Sequence, residues 1–171
     1  MLTSSAAARH AVLGTRLGEL TVVRHGDSLT GLYFPHHWYR PHPAAFGPRS
    51  GDGFDDVAVQ LAEYLEATRE AFDLALEPRG TDLQLAVWKL IAEIPYGQTT
   101  SYGDIARRVG GVSAQEVGTA TGRNPLSIFI PCHRVVGSTG KLNGYAGGIG
   151  RKRALLELER RGRPAQLPLP M

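Results

Sequence analysis

The chain has 171 residues, 42% of them hydrophobic, and a net charge of +3, which suits one domain or two small ones around a real core. No apolar run reaches the roughly 18 residues that a membrane helix needs, and Met1 to His10 lacks the apolar segment of a secretory leader. The single cysteine excludes an internal disulfide and a thiolate-rich metal site, and it suits a reducing cytoplasm.

Met1 to Ala8 is small and polar and is expected to be disordered. From His10 to Phe34 the sequence reads as short strands broken by Gly14, Gly18, Gly26-Asp27 and Gly31, with Gly26-Asp27 as a hairpin turn. Pro35 to Gly53 carries four prolines and three histidines and reads as a loop. His36, His37 and His42 have no cysteine or carboxylate at ligand spacing, so no metal is expected there. Phe54, Val57, Leu61 and Leu65 recur at helical spacing and predict an amphipathic helix over residues 54–70. Phe72 to Leu76 is expected to be a short strand, and Glu77-Pro78-Arg79-Gly80 a domain junction.

Thr81 and Gln84 form a capping-box pattern, opening a helix with an apolar stripe of Leu83, Val87, Leu90, Ile91 and Ile94. Ser101 caps a second helix that Gly110-Gly111 stops, and Ser113 with Glu116 opens a third, to about Gly122. Two short helices around a glycine turn predict a helix-turn-helix, and the small surface of Gly118, Thr119, Ala120 and Thr121 suits close approach to a groove. Asn124-Pro125 then redirects the chain into Ile128-Phe129-Ile130, an expected buried strand. Val136 to Gly148 holds five glycines in thirteen residues, Arg151 to Arg161 is a last helix, and Gly162 to Met171 is a tail. The fold class is therefore a small α/β N-terminal domain, residues 1–79, followed by a mostly helical, helix-turn-helix C-terminal domain, residues 80–171.

The lone Cys132 stands between Pro131 and His133-Arg134. A thiol becomes a nucleophile when a base or nearby cations favour its thiolate, and this run offers both. Charge is also uneven along the chain. Residues 1–100 carry 8 Lys+Arg against 12 Asp+Glu, a net −4, and residues 101–171 carry 11 against 4, a net +7. The basic half holds the cysteine, so an anionic partner near the reacting thiol is expected, and nucleic acid fits.

The run Pro131-Cys132-His133-Arg134-Val135 resembles the active-site signature of the O6-alkylguanine-DNA alkyltransferases, the methylated-DNA–protein-cysteine methyltransferases. Gly80-Thr81, Val87-Trp88, Ile94-Pro95-Tyr96-Gly97, Ser101-Tyr102-Gly103, Val117-Gly118, Asn124-Pro125, Tyr145-Ala146-Gly147-Gly148 and Leu155-Leu156 fall in the family's order. The likeness is strong over about residues 80 to 160 and loose before them.

The resemblance implies direct, irreversible transfer of an alkyl group from O6-alkylguanine (and O4-alkylthymine) in DNA to Cys132, with no cofactor and no turnover. It implies that His133 acts through a water and is oriented by Glu159, that Asn124 braces the active-site segment, and that Tyr102 turns the phosphate and protonates the leaving guanine. Val135, Tyr145 and Ala146 would line the base pocket, and Arg123, Arg134 and Arg151 are expected on the DNA. The partner implied is double-stranded DNA, bound in the minor groove with base flipping, by a monomer whose cooperativity on DNA is left open. Relatives that hold zinc in the N-terminal part use cysteines that are absent here. One departure stands out: Gln115 occupies the place of an arginine that fills the space left by the flipped base. A non-catalytic helix-turn-helix DNA- or lesion-binding protein is the alternative, and it leaves Cys132 and the glycine loop unexplained.

Overall fold

The computed structural model describes residues 7–142, 144–162 and 164; residues 1–6 of the segment expected to be disordered and most of the expected tail lie outside them, whereas Ala8 is ordered by its pairing with His25. Three antiparallel strands, β1 (Ala8–Thr15), β2 (Gly18–His25) and β3 (Ser28–Tyr33), form a meander in that order. Gly26-Asp27 makes the second hairpin turn as expected. Gly14 and Gly31 lie inside strands rather than breaking them. At Gly31 a side chain would collide with the Tyr33 ring, close to the register shift at Val23/Arg24.

Helix α1 (Asp55–Leu65) is shorter than the predicted 54–70. Ala67 takes a left-handed φ of 65°, and the N–H groups of Ala67 and Thr68 close back on the carbonyls of Tyr64 and Glu63. This is the Schellman ending that periodicity cannot see. Phe72 to Leu76 is not a strand. Its side chains alternate half-buried and exposed, but pairing is limited to one parallel bridge between Leu29 and Leu76.

Helix α2 (Asp82–Ala92) begins with the complete Thr81/Gln84 capping box. Strand β4 (Thr100–Ser101) leads into α3 (Tyr102–Val109), and α4 (Ala114–Gly122) follows with the Ser113/Glu116 capping box intact. These two helices are the predicted helix-turn-helix. Trp88 on α2 braces it, burying its ring and donating its indole N–H to Ala120 O at 2.8 Å. Strand β5 (Val135–Val136) pairs parallel with β4, and α5 (Ile149–Arg161) closes the fold.

The core is continuous between the two halves. Leu17, Leu32 and Phe34 from the sheet join Val57 and Tyr64 from α1 and Leu126, Tyr145 and Leu155 from the C-terminal part. The architecture is thus a small sheet with one helix, followed by a helical part carrying a helix-turn-helix. No helix of the described residues is long and apolar enough to cross a membrane.

Candidate active site

Cys132 is delivered by a braced turn rather than by the strand expected over 128–130. Asn124 Nδ2 donates to Ile130 O at 2.8 Å, and Leu126 N–H donates to Asn124 Oδ1 at 3.0 Å. Ile130 N–H closes the turn on Leu126 O at 2.8 Å, and Ile128 sits at a left-handed φ of 74°. Both polar ends of buried Asn124 are used within its own loop, so one side chain holds the reversal over residues 124–130. Cys132–Arg134 then forms one 3-10 turn.

Cys132 is 2% exposed. Burial pushes its thiol pKa up, while Asn124, Ser127, Lys152 and Tyr145 oppose that shift without cancelling it. The resting group is therefore a protonated thiol. The hydroxyls of Ser127 and Tyr145 are buried and make no well-formed hydrogen bond.

His133 is fully buried, with Nε2 2.7 Å from Glu159 Oε2. Glu159 also accepts from Arg134 Nε at 2.8 Å, Arg134 Nη2 at 2.9 Å, Tyr64 Oη at 2.6 Å and Gly97 N–H at 3.2 Å. Burial alone would push this carboxyl up. The bonds from His133, Arg134 and Tyr64 more than offset it and hold the group far below the ordinary carboxylate range. Burial lowers the His133 pKa, against the opposing pull of Glu159. A neutral imidazole beside an ionised carboxylate donates through Nε2, which leaves Nδ1 as the acceptor. That Nδ1 is buried and has no hydrogen-bond partner among the described residues.

Lys152 is fully buried at the start of α5, donating to Val135 O at 2.6 Å and reaching Tyr102 Oη at 3.4 Å. Desolvation brings its pKa down to about 8. Burial and the nearby thiol raise that of Tyr102 to about 12. The expected pocket residues converge here: Val135, Tyr145 and Ala146 are all buried, and Ala146 O accepts the N–H of Trp38 at 3.1 Å.

Two arginines expected on DNA point inward. Arg134 is 8% exposed, bound to Glu159 and donating to Ile94 O at 2.6 Å. Its charge is spent keeping a buried carboxylate ionised. Arg151 donates to Leu17 O at 2.7 Å and Gly147 O at 2.9 Å and lies over the Phe34 ring, so it ties α5 to the sheet. Arg123 is exposed, with its guanidinium 3.9 Å from the Tyr39 ring centroid. Gln115 is exposed and lines a cleft of about 590 Å³ together with Tyr102 and Gly118. Of the three N-terminal histidines, His37 is buried, accepting from Phe34 N–H at 3.2 Å, and His42 caps a 3-10 turn.

Three residues at this site escaped sequence reasoning. Tyr64 continues the α1 stripe of Val57 and Leu61, a signal that was present but reads as core. Lys152 precedes Leu155 by three and Glu159 by seven, on the buried face of α5; a charge on an apolar stripe was the available clue. Ser127 has no local signature.

Comparison with known proteins matches both parts of the chain to one family. Residues 8–78 match the family described as 6-O-methylguanine DNA methyltransferase, ribonuclease-like domain, and residues 82–161 match its DNA binding domain. The chain is 45% identical over 161 residues to a methylated-DNA–protein-cysteine methyltransferase of Mycobacterium tuberculosis, covering 94% of this chain and 97% of that protein. It is also 45% identical over 126 residues to the inducible enzyme of that name from Bacillus subtilis, covering 72% of this chain and 70% of the relative. The crystal structure of Mycobacterium tuberculosis OGT in complex with DNA superposes with a TM-score of 0.85 at 43% identity, covering 92% of this chain and 96% of that one. With both parts of the chain matched and a relative this similar aligned over nearly its whole length, the chain belongs to the methylated-DNA–protein-cysteine methyltransferase family.

Proposed function

We propose that this chain repairs DNA by taking the alkyl group of an O6-alkylguanine onto Cys132 Sγ, once per molecule. The observation that carries the reading is the buried chain Arg134/Tyr64–Glu159–His133, which ends in an unpartnered acceptor nitrogen on the residue that follows the lone cysteine. Burial keeps that thiol protonated, so a base must take its proton during reaction. His133 Nδ1 takes it through one water, and the carboxylate of Glu159 stabilises the imidazolium that results.

The thiolate attacks the alkyl carbon in line. The S–C bond forms as the C–O6 bond breaks, and the electron pair stays with the guanine. Tyr102 supplies a proton to the leaving ring, and Lys152 at 3.4 Å from its hydroxyl stands behind it. The thioether is stable and nothing in the site reverses it, so the protein is consumed. The lesion reaches this buried site only when flipped from the duplex, at a cost of a few kcal/mol. The helix-turn-helix and exposed basic residues such as Arg107, Arg108 and Arg123 would hold the phosphates. The test is stoichiometry: with excess methylated duplex, transfer should plateau at one methyl per protein, and continued turnover would exclude the reading.

Lys152 has a distinct signature. Below about pH 8 it is charged and supports the thiolate; above, that support is lost. Lys152→Met should therefore slow single-turnover transfer at pH 7, with the gap to wild type closing as pH rises through about 8. A gap independent of pH from 6.5 to 9.5 would assign Lys152 a purely structural role.

Gln115 should limit action on duplex DNA. It is shorter than arginine and neutral, so it fills less of the space left by a flipped base and gains no phosphate attraction. Gln115→Arg should raise the duplex rate relative to the rate with free O6-benzylguanine, and steepen the salt dependence of binding by about one unit of log slope. An unchanged ratio of the two rates would show that another residue fills the stack.

A further inference from the structure

Two exposed aromatic residues of the β3–α1 loop are unaccounted for by the fold. Trp38 is 50% exposed and Tyr39 58%, whereas the other tryptophan, Trp88, is 2% exposed. Both belong to the N-terminal part but stand against the C-terminal one. Their rings lie about a van der Waals contact from the side-chain position of Gly122 at the end of α4, and any side chain at Gly144 would strike the Trp38 indole. They form one wall of the cleft of about 590 Å³, facing Tyr102, Gln115 and Gly118.

The wall is built rather than floppy. The N–H of Trp38 is bound to Ala146 O at 3.1 Å, and the neighbouring His37 imidazole stacks on Phe34 and accepts its N–H. Tyr39 holds a left-handed φ of 55°, a conformation that a non-glycine residue adopts only where its surroundings hold it there. Arg123 from the end of α4 lies over its ring. No residue lining the cleft carries a carboxylate. Exposed aromatic faces beside a cation and a helix-turn-helix have the makeup of a site where unstacked bases are held, because every base offers a flat π face irrespective of sequence.

We propose that Trp38 and Tyr39 form a platform that stacks an unstacked nucleobase of the DNA strand entering the cleft, with Arg123 beside the adjoining phosphate. The inference rests on the repair reading for the presence of distorted DNA, and it extends the footprint to the N-terminal part of the chain. The platform stands beside the pocket of the reacting base and not in it: Tyr102 lines the cleft, whereas Cys132 and Tyr145 do not. It lines the same cleft as Gln115.

The test uses the full chain with Trp38→Ala and Trp38→Phe. Stacking of one base on an aromatic ring accounts for about tenfold in affinity or more, so Trp38→Ala should weaken binding to lesion-bearing duplex by about that factor. It should lower the ratio of duplex to free O6-benzylguanine rates similarly, and Trp38→Phe should retain most of both. DNA should quench the tryptophan fluorescence of wild type, and the quench should be lost in Trp38→Phe, because Trp88 is buried. Three results would each overturn the platform: wild-type affinity in Trp38→Ala, a free-base rate that falls in parallel with the duplex rate, or a quench that survives in Trp38→Phe. If wild type fails to take a methyl group from the lesion-bearing duplex, the repair reading fails instead, and binding and quench still judge the platform.

Discussion

Cys132→Ser is expected to abolish alkyl transfer while the chain stays folded and still binds DNA. A serine hydroxyl is far more reluctant to ionise than a thiol, and the site is one where burial already pushes the thiol up. The weak base His133 cannot raise a buried alkoxide. The structural cost is small, because the hydroxyl is close in size and meets two buried hydroxyls, Ser127 and Tyr145, that lack well-formed partners. A new hydrogen bond there is worth about 1 kcal/mol, so the thermal midpoint should move little. The measurement pairs single-turnover transfer with duplex affinity. Residual transfer at a measurable rate would mean that another residue accepts the group.

Glu159→Gln carries the largest expected structural penalty. The amide cannot balance Arg134, which is 8% exposed and bound to both carboxylate oxygens. Removing one partner of a buried ion pair costs about 3–5 kcal/mol, and the amide replaces one of the two acceptor oxygens by a donor, so the bond that orients His133 is weakened. General-base assistance is worth about 10²–10⁴-fold, and a misoriented imidazole should forfeit about the lower figure. The pH dependence carries the sign. The folded carboxyl is held below its unfolded value, so its stabilising effect is fully present above the ordinary carboxylate range and is lost as pH falls below it. The wild-type advantage over Glu159→Gln in denaturant midpoint should thus be large at pH 7 and shrink in acid. An equal midpoint at pH 7 would remove Glu159 from the structural role, and an unchanged single-turnover rate would remove it from the orienting one.

Much of the helical architecture was legible because its determinants are local. Thr81/Gln84 and Ser113/Glu116 announce two helix starts within four residues each, and both boxes form completely. The expected strand at 72–76 failed for the converse reason: its alternation is real, but β3 offers it a single bridge at Leu29. The turn before Cys132 was misread because Ile128-Phe129-Ile130 has strand composition, while Asn124, six residues before Ile130, bends the backbone through its side chain.

At the site, Cys132 and His133 were readable from their context, whereas Glu159 came only through the resemblance. Its partners Tyr64 and Arg134 depend on tertiary packing. The net charge of +7 over residues 101–171 pointed to an anion but not to which cations face it. Arg134, Arg151 and Lys152 turn that charge inward, to Glu159, to backbone carbonyls and to Tyr102.

The central claim is that Cys132 Sγ itself becomes the alkyl acceptor. Wild-type protein should be reacted to completion with duplex DNA carrying isotope-labelled O6-methylguanine, digested, and its peptides analysed by mass spectrometry. One labelled methyl per protein is expected, confined to the peptide containing Cys132 and located on its sulfur, with an equal amount of unmodified guanine left in the DNA. Label on any other residue, or loss of the methyl from DNA without its appearance on Cys132, would contradict it.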